Sequence, residues 1–188
     1  MDIGAQVQLV VRLTLGLIFL VSAVAKLRDP AAFVRGVLEY RVLPGSLARL
    51  YGWALPFVEL GTALLLLSGF LFFLAVILVI LMLASFAVAI IVVTMQGRQI
   101  GCNCFGTGHD SRVGWHTLAR DLLLLSSAVW LLGAIDPGLV GANAWLRRDL
   151  NVALPALLLA ALIALAYWLV AEGLEMLASL FRPSGGVV

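Results

Sequence analysis

Charge is what this sequence has least of. Asp, Glu, Lys and Arg make up 12% of its 188 residues, where an ordinary soluble domain carries about 25%. With a mean hydropathy of +1.13, so little charge cannot cover a water-facing surface, and the solvent of this chain is lipid. The net charge is only +2, and no basic run is interleaved with aromatics. Nucleic acid is thereby excluded as a partner. No stretch shows the alternating pattern of a membrane β-barrel, so the spans must be helical. Lys and Arg are missing before Arg12, while Asp2 stands near the start. That is a poor n-region for a secretory signal, and the first apolar run is expected to be a retained helix. Cysteine is nearly absent as well. The chain has two, both inside QIGCNCFGTGHDS, residues 99–111.

What is present is a series of apolar runs of about 20 residues, the length that crosses a hydrocarbon core of about 30 Å. They cover residues 7–26, 48–67, 70–95, 118–135 and 150–170. The expected fold is all-α, an integral membrane helical bundle forming one domain over 1–188. Between the first two runs, Asp29 followed by Pro30 reads as an N-cap with proline at the first helical position. Phe33, Val37 and Tyr40 then recur at helical spacing, which predicts a short interfacial helix ending before Pro44-Gly45. Tyr51, Trp53 and Trp115 form a candidate aromatic belt at one interface, Trp130 and Trp145 at the other.

This topology puts residues 97–117, with both cysteines, on the side opposite the N-terminus. That side also carries Lys26, Arg28, Arg35, Arg41, Arg49, Arg98, Arg112, Arg120 and Arg182, against Arg147, Arg148 and the nearby Arg12 on the other. The positive-inside rule makes the cysteine side cytoplasmic, in a plasma (inner) membrane.

Cys102 and Cys104 are separated by one residue, with Gly101, Gly106 and Gly108 close by. In so flexible a loop their Cα atoms can approach to the disulfide range of about 4.4–6.8 Å. A bridge there closes almost no chain, so it gains little as a structural staple. It would be strained, and strained bridges exchange readily. Arg98, Arg112 and the start of the next helix are placed to favour a thiolate. Three other readings stand beside the redox one. The pair can be a structural disulfide, two independent thiols, or part of a metal site with His109 and His116. The last supplies two sulfurs and two nitrogens, at a spacing unlike the usual zinc pattern.

Two ionisable residues, Arg12 and Glu59, fall inside apolar runs, where charge is costly and often functional. Counted from the N-terminal side of the membrane, the two lie at similar depth. This predicts an Arg12–Glu59 pair between the first two spans; the alternative is a snorkelling Arg12 and a separate Glu59. Pro56, just before Glu59, is a candidate kink. Asp121 reads as a helix-dipole residue in the first turn of its helix, and Arg120 as a cation able to face the cysteines.

Taken together, RLTLGLIFLVSAVAKLRDPAAF and LPFVELGTALLL resemble the first two helices of the DoxX-like superfamily. CNCFG followed by LARDLLLL resembles the MauE family of methylamine-utilisation membrane proteins. The likeness covers about residues 9–135. It implies a four-helix membrane core, beside which the last apolar run is a fifth, C-terminal transmembrane helix. It also implies thiol–disulfide exchange between Cys102–Cys104 and a thioredoxin-like partner outside the cytoplasm, in disulfide formation or in reductant supply. A quinone is a possible electron carrier, with Phe70, Phe72 and Phe73 as candidate walls. The non-catalytic alternative is a membrane assembly subunit whose loop docks a partner.

The charge count and the resemblance place the thiols on opposite faces. The charge count predicts that an impermeant maleimide leaves Cys102 and Cys104 unlabelled in intact cells and labels them after lysis. Labelling before lysis would put them outside.

Overall fold

In a computed structural model of the chain, residues 3–96, 115–134 and 155–167 are described, and nearly all of them are helical. The helices are α1 (Ile3–Arg28), α2 (Pro30–Tyr40), α3 (Gly45–Ser68), α4 (Phe72–Met95) and α5 (Trp115–Gly133), followed by α6 (Pro155–Tyr167). Three stretches, Gln6–Arg28, Gly45–Ser68 and Phe72–Met95, are long and apolar enough to cross a membrane. In lipid a backbone must satisfy its own polar groups, which is why each apolar run closes into a helix. The hydroxyls obey the same constraint. Thr62, Thr94 and Ser127 donate to the carbonyls of Val58, Ile90 and Leu123, four residues back.

The predicted local signals act as expected. The Asp29 side chain accepts from the Ala32 amide at 2.9 Å, and Pro30 opens α2. Arg41, in the left-handed region at φ 49°, ends that helix. Between α3 and α4, Gly69 takes φ 74° and its amide donates to the Leu65 carbonyl. Leu71, at φ 47°, then starts α4. α3 passes through Pro56 as one helix, although that proline has no amide to give the Gly52 carbonyl.

Helices α1, α3, α4 and α5 close into the four-helix core. Its centre is built from residues such as Leu15, Phe19, Leu66, Val76, Val79 and Leu131. α1 packs mainly on α3 and α4 mainly on α5. α6 lies outside the core, setting Ala156 and Ala160 against Leu9, Leu13 and Leu17 of α1. α2 lies along the first turns of α3. Gly52 makes this possible, because a Cβ there would come within 3.2 Å of the Val34 backbone. Outward residues such as Leu50, Phe57, Leu81 and Leu123 are exposed, as suits lipid-facing positions.

Gly52→Leu should therefore wedge α2 off α3 and cost about 1–3 kcal/mol by overpacking. Gly61→Leu, at a position with nothing within 4 Å of a built Cβ, should leave stability nearly unchanged. Thermal unfolding of the two variants in the same detergent makes the comparison.

Candidate functional site

Four charged residues converge inside the bundle. Lys26 on α1 and Glu59 on α3 are 4% and 1% exposed. The Lys26 Nζ donates to Glu59 Oε1 at 2.5 Å. The same ammonium lies 5.2 Å from the Phe33 ring centre and 5.1 Å from that of Phe86, so α2 and α4 supply aromatic faces to the cation. Arg120 and Asp121 on α5 line the same cavity as this pair, and Arg120 stands 5.9 Å from the Tyr167 ring of α6. The cavity has a volume of about 50 Å³, with Ser22, Thr117 and Leu83 also in its wall. That is room for roughly three to five waters at about 10–15 Å³ each.

The predicted Arg12–Glu59 pair does not form. α1 and α3 run antiparallel, with Gly16 against Leu66 and Leu67 and with Arg12 against Gly69. Glu59 is ten residues before Gly69, about 15 Å along the helix. Helical side chains lean toward the N-terminus of their own helix. Arg12 therefore leans away from Glu59, while Lys26 and Glu59 lean toward each other. Equal depth was the wrong criterion, and the lean was the signal that would have found Lys26.

Arg12 instead sits, 2% exposed, over the C-terminal end of α3, with its guanidinium 6.0 Å from the Phe72 ring. A cation is favoured there by the helix dipole. Asp121 is likewise not a first-turn residue. It is the seventh residue of α5, 7% exposed, and faces the cavity. Lys26 and Arg120, counted among the cations of the cysteine side, line the interior cavity. Of the candidate quinone walls, Phe72 is buried whereas Phe70 and Phe73 are more than half exposed. All three adjoin the α3–α4 turn, at the far end of α4 from Met95. Trp53 and Trp130 are exposed as belt residues should be, but Tyr51 is half-buried and hydrogen-bonded to Ser85 at 2.8 Å.

Cys102, Cys104, His109, Arg98, Arg112, Trp145, Arg147 and Arg148 lie outside the described residues. His116 and Trp115 are placed in α5 by their backbone alone. The ends of the cysteine segment are placed, however. It leaves α4 after Gln96 and enters α5 at Trp115. Ile90 and Thr117, close to those two ends, line the charged cavity. The segment carrying both thiols is thus tethered at the end of the bundle where the cavity lies.

The family model for "Methylamine utilisation protein MauE" matches residues 5–134. The chain belongs to the MauE family. A Paracoccus denitrificans protein named methylamine utilization protein MauE is 35% identical over 132 residues, covering 70% of this chain and 69% of that protein. Proteins of the same name are 33% identical in Methylophilus methylotrophus, over 82% of this chain and 79% of the relative, and 31% identical in Methylorubrum extorquens, over 65% and 68%. These matches establish MauE and do not extend to the wider DoxX-like superfamily. No solved structure matches the chain. The MauE match covers α1 to α5 and stops before α6, whose Tyr167 nevertheless lines the cavity.

Lys26→Met or Glu59→Gln alone should cost about 3–5 kcal/mol, because each leaves a buried charge uncompensated. The double variant should recover much of that loss. Arg12→Met and Glu59→Gln should add to within about 0.5 kcal/mol, as separate sites do. Unfolding midpoints across the two double-mutant cycles test both statements.

Proposed function

We propose that this MauE-family chain is a membrane thiol–disulfide redox protein acting in methylamine utilisation, and that it resides in the plasma membrane. Cys102 and Cys104 form the exchanging pair, and the partner is a soluble thioredoxin-fold protein. The observation that carries this reading is the position of the two cysteines. They share one short segment, which joins α4 and α5, and both of those helices contribute side chains to a cavity lined by Lys26, Glu59, Arg120 and Asp121.

The chemistry balances without a further reagent. One thiolate of the reduced pair attacks the partner's disulfide, whose S–S bond breaks as a mixed disulfide forms. The second thiolate then displaces the partner from the first sulfur. Two electrons pass to the partner, which leaves as a dithiol while the pair becomes a disulfide. The reverse sequence delivers reducing equivalents to this chain. Arg98 and Arg112, next to the cysteines in sequence, and Arg120 at the cavity supply positive charge that favours a thiolate. A quinone is the class of acceptor that suits two-electron chemistry in a bilayer. Phe70, Phe72 and Phe73 lie by the α3–α4 turn, at the opposite end of α4 from the cysteine segment.

Either Cys102→Ser or Cys104→Ser should accumulate a reductant-sensitive adduct with a thioredoxin-fold protein, since removing the resolving thiol strands the mixed disulfide. Alkylation gel shifts of the native chain should show the pair cycling with the redox buffer. If neither variant traps an adduct and the pair never changes state, the assembly-subunit reading replaces this one. Stoichiometric metal in the purified protein would favour a site built from Cys102, Cys104, His109 and His116.

A further inference from the structure

We infer that the cavity between α1, α3, α4 and α5 is a hydrated proton-exchange site, with the Glu59 carboxylate as the group that takes up and releases the proton. Two independent observations carry this. Glu59 Oε1 accepts from Lys26, while Oε2 is buried and makes no geometrically sound hydrogen bond among the described residues, with the Ser22 hydroxyl near enough to interact with the carboxylate. Beside it lies a cavity of about 50 Å³ that the Glu59 side chain itself lines. A buried carboxylate oxygen left bare is costly. The cavity is large enough for several waters, and although most of its wall is apolar, Ser22, Thr117, Arg120 and Asp121 stand beside Glu59 as polar partners for a water that meets this oxygen.

The wall is graded. Leu83, Phe86 and Leu124 are apolar, while Ser22, Thr117 and Asp121 bear oxygens. The lining extends along α5 from Leu124 to Thr117, about 10 Å by helical rise. It thus connects the middle of α3 with the first turn of α5. The charged and titratable groups lining the cavity with Glu59 are Lys26 from α1, Arg120 and Asp121 from α5, and Tyr167 from α6. α4 offers apolar side chains only.

The step is simple. A hydronium ion in the cavity gives its proton to Oε2 and becomes water, while Oε1 keeps its bond to the Lys26 ammonium. The pair passes from neutral to singly positive, and the reverse step returns the proton. Ionisable groups held at depth in a membrane commonly serve such relays. The inference needs no thiol, and it stands or falls apart from the redox reading above.

The test uses the full chain in lipid with both cysteines replaced by serine, so that failure of the thiol chemistry cannot affect the result. Acidification should bring up the infrared carbonyl band of a protonated carboxylic acid, and that band should shift in D2O. Glu59→Gln should abolish it, and Asp121→Asn should retain it. Dicyclohexylcarbodiimide, which attacks protonated carboxyls in apolar surroundings, should label Glu59 increasingly as the pH falls, as read by peptide mapping. The labelling needs no substitution at Glu59, so it decides the matter even where Glu59→Gln does not fold. Absence of label on Glu59, or a band that vanishes with Asp121→Asn instead, would overturn the assignment.

Discussion

A charge inside lipid has to find its partner within the protein, and Lys26 with Glu59 is how this bundle meets that demand. The cost of burying either ion alone is large enough to fix how α1 meets α3. Once their contact is set, other features follow along the same interface. Gly16 admits Leu67, and Arg12 falls over the end of α3 near Gly69. Phe33 and Phe86 close on the ammonium from α2 and α4. One ion pair thereby organises four of the helices.

The second consequence concerns where polarity is kept. Arg120 and Asp121 enter from α5, and Tyr167 comes from α6. Among the described residues, the charged side chains that line the cavity thus gather toward the ends of α4 and α5 between which the cysteine segment runs. The opposite half has a different arrangement, a single buried arginine over a helix end and an aromatic ring. The two ends are therefore chemically distinct. Among the described residues, the end with the cavity is the one that combines acid, base and space for water.

Much of the architecture was legible in the residues. Length and hydropathy alone mark the helices, because a backbone in lipid has a single economical conformation. Asp29-Pro30 marks a helix start through a local bond that involves neighbours in the chain. The charged site was less legible. Glu59 stands out as an acid in an apolar run, but depth counted along each helix points to Arg12 as its partner rather than Lys26. Counting ignores the direction in which side chains lean and the relative slide of two antiparallel helices. Hydropathy starts the helix of Asp121 at Leu118, three residues after its true start at Trp115, because His116 and Thr117 are polar, and this puts Asp121 in the first turn.

Composition and order along the chain settle that the protein lives in lipid, that it is helical, and where the helices turn. Each of these depends on local bonding and on transfer of apolar groups from water, which a residue carries with it into any fold. Partnership across the bundle is of another kind. That Lys26 rather than Arg12 meets Glu59, and that Arg120, Asp121 and Tyr167 border the same small cavity, depends on helix register and facing. Those are properties of how surfaces pack against one another, and residues far apart in sequence acquire them only when the chain has folded.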